Sequence, residues 1–357
     1  MKRRTAAAVG ALAALLGPAL QAGAKGPATP SREAQQTLQA AVSLYEKADF
    51  EDALKHFNKA LALFPGWKTA SGHRAMCRWT MGEKAAAEED ALLAVKLKPN
   101  SAESFVARGQ ARFVLKDYPA AAEDFEAALR LAPDAAEAHF GRGSVASAKG
   151  DLSNAVRSLD AAVRSNPEFA AALLVRGSVR ERLKDFPRAI GDFDRVLDIS
   201  PRFVWARFYR GRSYREVKDY RKALADFDDF LAAHPDFAEA VYLRSNVRFI
   251  MGDYSGAEAD LTRVIALDPK RGLAYSNRGQ ARAQLGDKAG ALSDLRKALE
   301  LEPAKRDKIQ AAINRIQGSG ASSETQAPSA RAWPLPNTEE APQPARSSVQ
   351  EEAVLIE

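Results

Sequence analysis

Eight prolines stand 34 residues apart without a gap: Pro65, Pro99, Pro133, Pro167, Pro201, Pro235, Pro269 and Pro303. A period of that length describes an array of small stacked units, not one core assembled from distant segments. The length, 357 residues, would by itself suggest about two domains. The period reads it as one elongated domain, and turns the functional question toward a binding surface.

Other residues keep phase with the proline. Twelve positions before it stands alanine in all eight units: Ala53, Ala87, Ala121, Ala155, Ala189, Ala223, Ala257 and Ala291. Twenty-four before it the residue is always small, as in Ala41, Gly109, Gly177, Ser245 and Gly279. Eight before it is Phe or Leu, with Ala91 the exception. The spacing of Ala121, Phe125 and Ala128 is helical. A small residue in each of two helices lets their axes approach, and the Phe or Leu fills the space beside them. Asp49, Asp117, Asp151, Asp185, Asp219, Asp253 and Asp287 fall at one phase, with Glu83 in unit two. Aspartate there caps a second helix by accepting its free N–H groups. Pro119 and Pro187 follow inside the first turn, where proline is tolerated. The periodic proline then stops that helix.

These residues resemble the tetratricopeptide repeat family. The last unit shows it best, with Ala274-Tyr275-Ser276-Asn277-Arg278-Gly279 followed by Ala291, Leu295, Ala298 and Pro303. The resemblance covers residues 34–305 as eight units. It implies an all-α fold, an α-solenoid whose helix pairs wind into a right-handed superhelix with a concave groove. It leaves function open, because one fold hosts many functions. Family members that hold chaperone C-termini use Lys, Arg and Asn lining the groove. Leu38, Val42, His73, Glu103 and Ala107 occupy the matching positions of the first three units, so that activity is not carried over.

Two polar positions vary together. Arg78, Arg112, Arg180, Arg248 and Arg282 lie twenty-one before the proline; Asp90, Asp124, Asp192, Asp260 and Asp294 lie nine before it in the same units. Units one and four lack both, with Leu44 and His56, and Ala146 and Ser158. Unit six has Asp226 with Tyr214, expected to donate a hydrogen bond in the arginine's place. The covariation predicts a partly buried tie between the two helices of a unit. A second series, Arg74, Arg108, Arg142, Arg176, Arg210, Arg244 and Arg278, lies four residues earlier on the same helix face. Such regularity reads as architecture.

The ends break the pattern. Residues 1–24 read as an export signal: a basic Lys2-Arg3-Arg4, an apolar Ala6 to Leu20, and a small-residue Ala22-Gly23-Ala24. The apolar stretch is short for a spanning helix, and Pro18 interrupts it. An uncleaved anchor is the alternative. Residues 25–33 read as a linker and unit one, lacking the arginines, as a cap. Residues 306–317 read as a capping helix with Ile309, Ala312 and Ile316 on one side, and 318–357 as a disordered tail rich in Gly, Ser, Pro, Ala and Glu. Trp333-Pro334-Leu335-Pro336 and Ala353-Val354-Leu355-Ile356 are its apolar points. The one cysteine, Cys77, allows no internal disulfide and reads as a small buried hydrophobe.

Catalytic patterns are missing from the sequence. His56, His73, His139 and His234 fall at no metal-ligand spacing, and no metal or other cofactor is expected. Gly141-Arg142-Gly143 follows the small-residue phase, not a phosphate loop. The net charge of +6 is dispersed, which argues against a nucleic-acid partner. Membrane contact is expected to be indirect, and oligomeric state is left open. One stretch departs from the regular array: Trp205, Phe208, Tyr209 and Arg212 in unit six, then Tyr242, Asn246 and Phe249 in unit seven. Aromatic residues and arginine are common interface anchors. This patch is expected to bind a peptide in the groove, with stacking between neighbouring units as the competing reading. The chain is thus read as an exported, non-catalytic protein-binding scaffold of a bacterial envelope. The alternatives are a folding or assembly factor for envelope proteins or polysaccharide machinery, and an enzyme with a cryptic site.

Overall fold

The turn inside each unit shows how the repeat is built. The residue before the turn Asp or Glu of each unit has positive φ: Ala48, Gly82, Lys116, Gly150, Lys184, Lys218, Gly252 and Gly286. Its left-handed backbone closes the first helix. In unit three the Lys116 N–H bonds the Phe113 carbonyl and the Asp117 N–H bonds the Arg112 carbonyl, both at 2.9 Å. The Asp117 side chain then accepts from the Ala120 N–H and starts the second helix. Asp151, Asp185, Asp219, Asp253 and Asp287 do the same in their own units. Asp49 and Glu83 make no such cap.

The structure, a computed structural model, describes residues 29–318. The expected export signal lies outside the described residues, as does the expected tail beyond Gly318. The eight units are the pairs α1 (Arg32–Glu46) with α2 (Phe50–Leu63), α3 (Lys68–Thr80) with α4 (Lys84–Ala94), α5 (Ala102–Val114) with α6 (Tyr118–Leu131), and α7 (Ala136–Ala148) with α8 (Leu152–Ser165). They continue as α9 (Ala170–Arg182) with α10 (Phe186–Ile199), α11 (Trp205–Glu216) with α12 (Tyr220–Ala233), α13 (Ala238–Ile250) with α14 (Tyr254–Leu267), and α15 (Gly272–Gln284) with α16 (Lys288–Leu301). A short 3-10 turn at Pro303–Lys305 leads into α17 (Arg306–Gly318). There Ile309, Ala312, Ile313 and Ile316 cover Ala291, Leu295 and Ala298 of α16. The described residues contain helices and no strands. The chain is an α-solenoid.

Within a unit the two helices meet where the small residues lie. A Cβ placed on Gly177 would come within 2.6 Å of the Phe193 ring, which fills the space beside it and is fully buried. The periodic alanine is buried in all eight units. Between units, first helices touch first helices, as α5 touches α7 and α13 touches α15, while second helices splay apart. The first helices therefore line the inside of the curve.

The array does not stay open. Unit two carries Ala91 where other units carry Phe or Leu, and there α3 packs along α5. A Cβ on Gly72 would sit 2.3 Å from the Ala107 carbonyl oxygen. The turn between α1 and α2 meets units four, five and six. Tyr45 lies 6.5 Å from Phe140, and Phe50 lies 5.5 Å edge-on to Phe203. Asn166 donates to Glu46 at 3.1 Å, and Ser200 bonds the Lys47 carbonyl. A solenoid normally contacts only sequence neighbours; this one also contacts itself across 95 to 153 residues.

Candidate peptide-binding surface

The arginines account for themselves first, because they occupy much of the polar surface of the first helices. The fork comes from the second series. Arg176 gives its Nε and Nη2 to the two oxygens of Asp192, at 3.1 and 2.6 Å. Arg180, of the first series, adds a third bond at 2.7 Å. The same set of three ion-paired contacts recurs around Asp90, Asp124, Asp260 and Asp294. Each fork arginine also reaches back to the preceding unit, Arg176 to Asp160, Arg210 to Asp194 and Arg244 to Asp228. The ties therefore run between units as well as within them. The expected role of Tyr214 is corrected. Asp226 takes both its bonds from Arg210, and the Tyr214 ring lies 5.7 Å from that guanidinium and 5.1 Å from the Lys222 ammonium. The carboxylate still has acceptor capacity, as Asp192 shows by taking a third bond, but the Tyr214 ring lies beside the two cations instead of donating to Asp226. Unit four has no carboxylate at the tie position, and Arg142 bonds Ser158 instead.

The aromatic patch expected at units six and seven lies together, but inside the stack. Trp205, Phe208 and Tyr209 are each 5% exposed or less. The Trp205 ring is 5.0 Å from Phe230, 5.3 Å from Phe237 and 5.5 Å from His234. Phe208 is 5.1 Å from Phe230, and Tyr209 is 5.9 Å from Phe193. These rings fill the seams between units five, six and seven. Arg212 is half-buried over Phe208 and Tyr209, at 5.9 and 5.8 Å. Phe249 is half-buried against Tyr254, its own unit's second helix, 5.2 Å away.

Tyr242 and Asn246 belong to a different assembly, which the sequence reading did not find. Asn277 donates to the Tyr242 hydroxyl at 3.1 Å and to the Asn246 carbonyl at 3.0 Å. The Arg271 guanidinium lies 3.9 Å over the Tyr242 ring and bonds Glu239 at 2.7 Å. Burial, more than the nearby Arg271 can offset, pushes the Tyr242 hydroxyl up to about 12. Asn246 is 1% exposed and Asn277 2%. Even so, Asn246 Nδ2, Arg271 Nε, Asn277 Oδ1 and Gln280 Oε1 have no partner among the described residues. Buried polar atoms nearly always have partners. Four in one layer, from α13, from α15 and from the residue that precedes α15, mark a polar floor under the inner surface of units seven and eight. The available signal was the break from regularity at Asn277, within the quoted last unit.

Two further sites are buried in unit two. His73 stacks on Phe57 at 6.4 Å, and burial holds its pKa down to about 4. Cys77 is fully buried, its thiol 3.5 Å from the Phe50 carbonyl, and burial pushes it well above the usual thiol range. No group of three or more His, Cys, Asp or Glu could hold a metal ion among the described residues. No helix among them is long and apolar enough to cross a membrane.

A family model described as tetratricopeptide repeat matches residues 38–102, 106–156, 144–202 and 210–250, more than half of the chain. The chain belongs to this family. A second model of the same description matches residues 272–305. No curated protein sequence matches the chain. Among solved structures it is similar to the Cut9–Hcn1 hetero-tetramer of APC/C, at 15% identity and a TM-score of 0.60, covering 78% of this chain and 55% of that one. It is similar to YrrB, described as a TPR protein with an unusual peptide-binding site, at 19% identity and a TM-score of 0.50, covering 54% and 99%. It is also similar to MamA from Desulfovibrio magneticus RS-1, at 24% identity and a TM-score of 0.46, covering 48% and 96%. At these identities the likeness is one of fold.

Proposed function

We propose that this tetratricopeptide repeat protein is an exported, non-catalytic scaffold that binds peptide segments of partner proteins on the inner face of units seven and eight. The observation carrying this is the polar floor of Tyr242, Asn246, Arg271, Asn277 and Gln280, where four buried atoms lack partners among the described residues. A peptide backbone offers both N–H and C=O groups. It can satisfy amide and guanidinium atoms of this kind directly or through a bridging water. The description of YrrB as peptide-binding supports the reading. Trp205, Phe208 and Tyr209 then act as the rigid backing of the surface, with Arg212 and Phe249 at its edges. Export rests on the composition of residues 1–24, and a bacterial envelope on the form of that signal.

Crosslinking in the protein's own cell envelope, from a photoreactive group at half-buried Phe249 on the edge of that surface, tests it. The expected result is a saturable, stoichiometric complex with a protein partner. Asn246→Ala with Asn277→Ala should abolish it at unchanged helical content. The reading fails if that double variant holds the same partner equally well. Trp205→Ala with Tyr209→Ala should lower stability, because those rings are packed within the stack.

A further inference from the structure

We propose that the turn between α1 and α2 is a latch that closes the array on itself, and that three carboxyl groups in its seam make closure depend on pH. The contacts are those of a docked element, not of a neighbour in the stack. Units one and four are separated by two complete units, yet Tyr45 meets Phe140. Phe50 meets Phe203 before α11, and Asn166 donates to Glu46 at 3.1 Å. Units one and four, which meet through Tyr45 and Phe140, are also the two that lack the Arg–Asp tie.

The seam concentrates like charge. Glu137, half-buried at the start of α7, is faced from α1 by Glu46 and the Tyr45 hydroxyl, and from α5 by Glu103. Lys47 is the cation beside Glu46, and Asn166 is its hydrogen-bond donor. Thr80 of α3 meets the Tyr45 hydroxyl at 3.4 Å. His139, on the same helix as Glu137, is turned to the Pro133 carbonyl and Arg142. Among the described residues, Glu137 therefore has no cation or hydrogen-bond donor to hold its charge. Burial first, then Glu46 and Glu103, push it from 4.5 up to about 8. Burial raises Glu46 and Glu103 as well.

The sign follows from linkage. When the latch opens, water reaches these groups and their pKa values return toward the ordinary range. The closed form then holds more protons than the open form between about 4.5 and 8. Closure is strongest below that window and weakens as pH rises through it. Opening uncovers the rings of Tyr45, Phe50, Phe140 and Phe203. This device does not depend on what units seven and eight bind.

The test is energy transfer between dyes at Glu51→Cys and Arg195→Cys, both exposed, in the otherwise intact chain with Cys77 buried. Transfer should be high at about pH 5 and fall toward pH 9, with helical content unchanged. Glu137→Gln should keep transfer high at alkaline pH. If that variant does not fold, Glu46→Gln should make the fall shallower. Chains labelled singly and mixed should show no transfer. Flat transfer from acid to alkali, the same fall in the glutamine variants, or transfer between mixed chains would each overturn the proposal.

Discussion

Units five to eight and units one to four share one repeat and hold together differently. In the later units every second helix carries a buried carboxylate, Asp192, Asp226, Asp260 or Asp294, gripped by arginine. The fork arginines also reach back to Asp160, Asp194 and Asp228. These contacts join immediate neighbours, and the region behaves as a stack. In the earlier units the backward tie thins out. Arg74 finds Asn58, Arg108 finds the Leu97 carbonyl, and unit one has no fork arginine at all. Its α1–α2 pair is held instead by α3, by aromatic contacts to distant units, and by the bend at Gly72. One sequence period thus supports two modes: a ladder that propagates locally, and a closure that depends on curvature.

The largest expected effect comes from breaking the ladder. Asp192→Ala would leave Arg176 and Arg180 facing a carboxylate site with no acid, although Asp160 still engages both. A cost of about 3 kcal/mol is expected, read in hydrogen exchange of α9 and α10, with α1 and α2 little changed. Gly72→Ala attacks the other mode. Its Cβ would sit 2.3 Å from the Ala107 carbonyl oxygen, so α3 and α5 must separate. About 1–3 kcal/mol is expected, together with weaker transfer between the latch dyes at acid pH. If latch transfer survives Gly72→Ala, curvature is not what delivers α1 to α7. Lys184→Gly sharpens the contrast at the small end. Lys184 holds φ at 60°, where glycine carries no steric penalty. A gain of up to about 1 kcal/mol in chemical denaturation is expected, since every stacked unit needs that turn equally.

Much of the fold could be read before the structure. The turn aspartates, small residues and periodic prolines specify one unit through contacts within about 34 residues, and the same pattern identified the family. The site was less legible. Trp205, Phe208 and Tyr209 share a helical face, but groove-lining and seam-filling residues recur with the same 3.6-residue period. Periodicity alone could not separate the two readings, and the packing distances place these rings in the seams. The Arg–Asp covariation pointed to a tie and missed its geometry. Only coordinates show that the earlier arginine makes the fork, because two arginines four residues apart present themselves to the same carboxylate.

By itself, the sequence determined the helix pair, its turn, its eight-fold repetition and its family, because each depends on residues close together in the chain. Tertiary structure alone decided that unit one returns to units four, five and six, and that Glu46, Glu103 and Glu137 share a seam. It also decided that Tyr242, Asn246 and Asn277 form one polar layer. The physical reason is accumulated curvature. Small rotations between stacked units add along the array, and a local period specifies each unit without specifying which distant units meet.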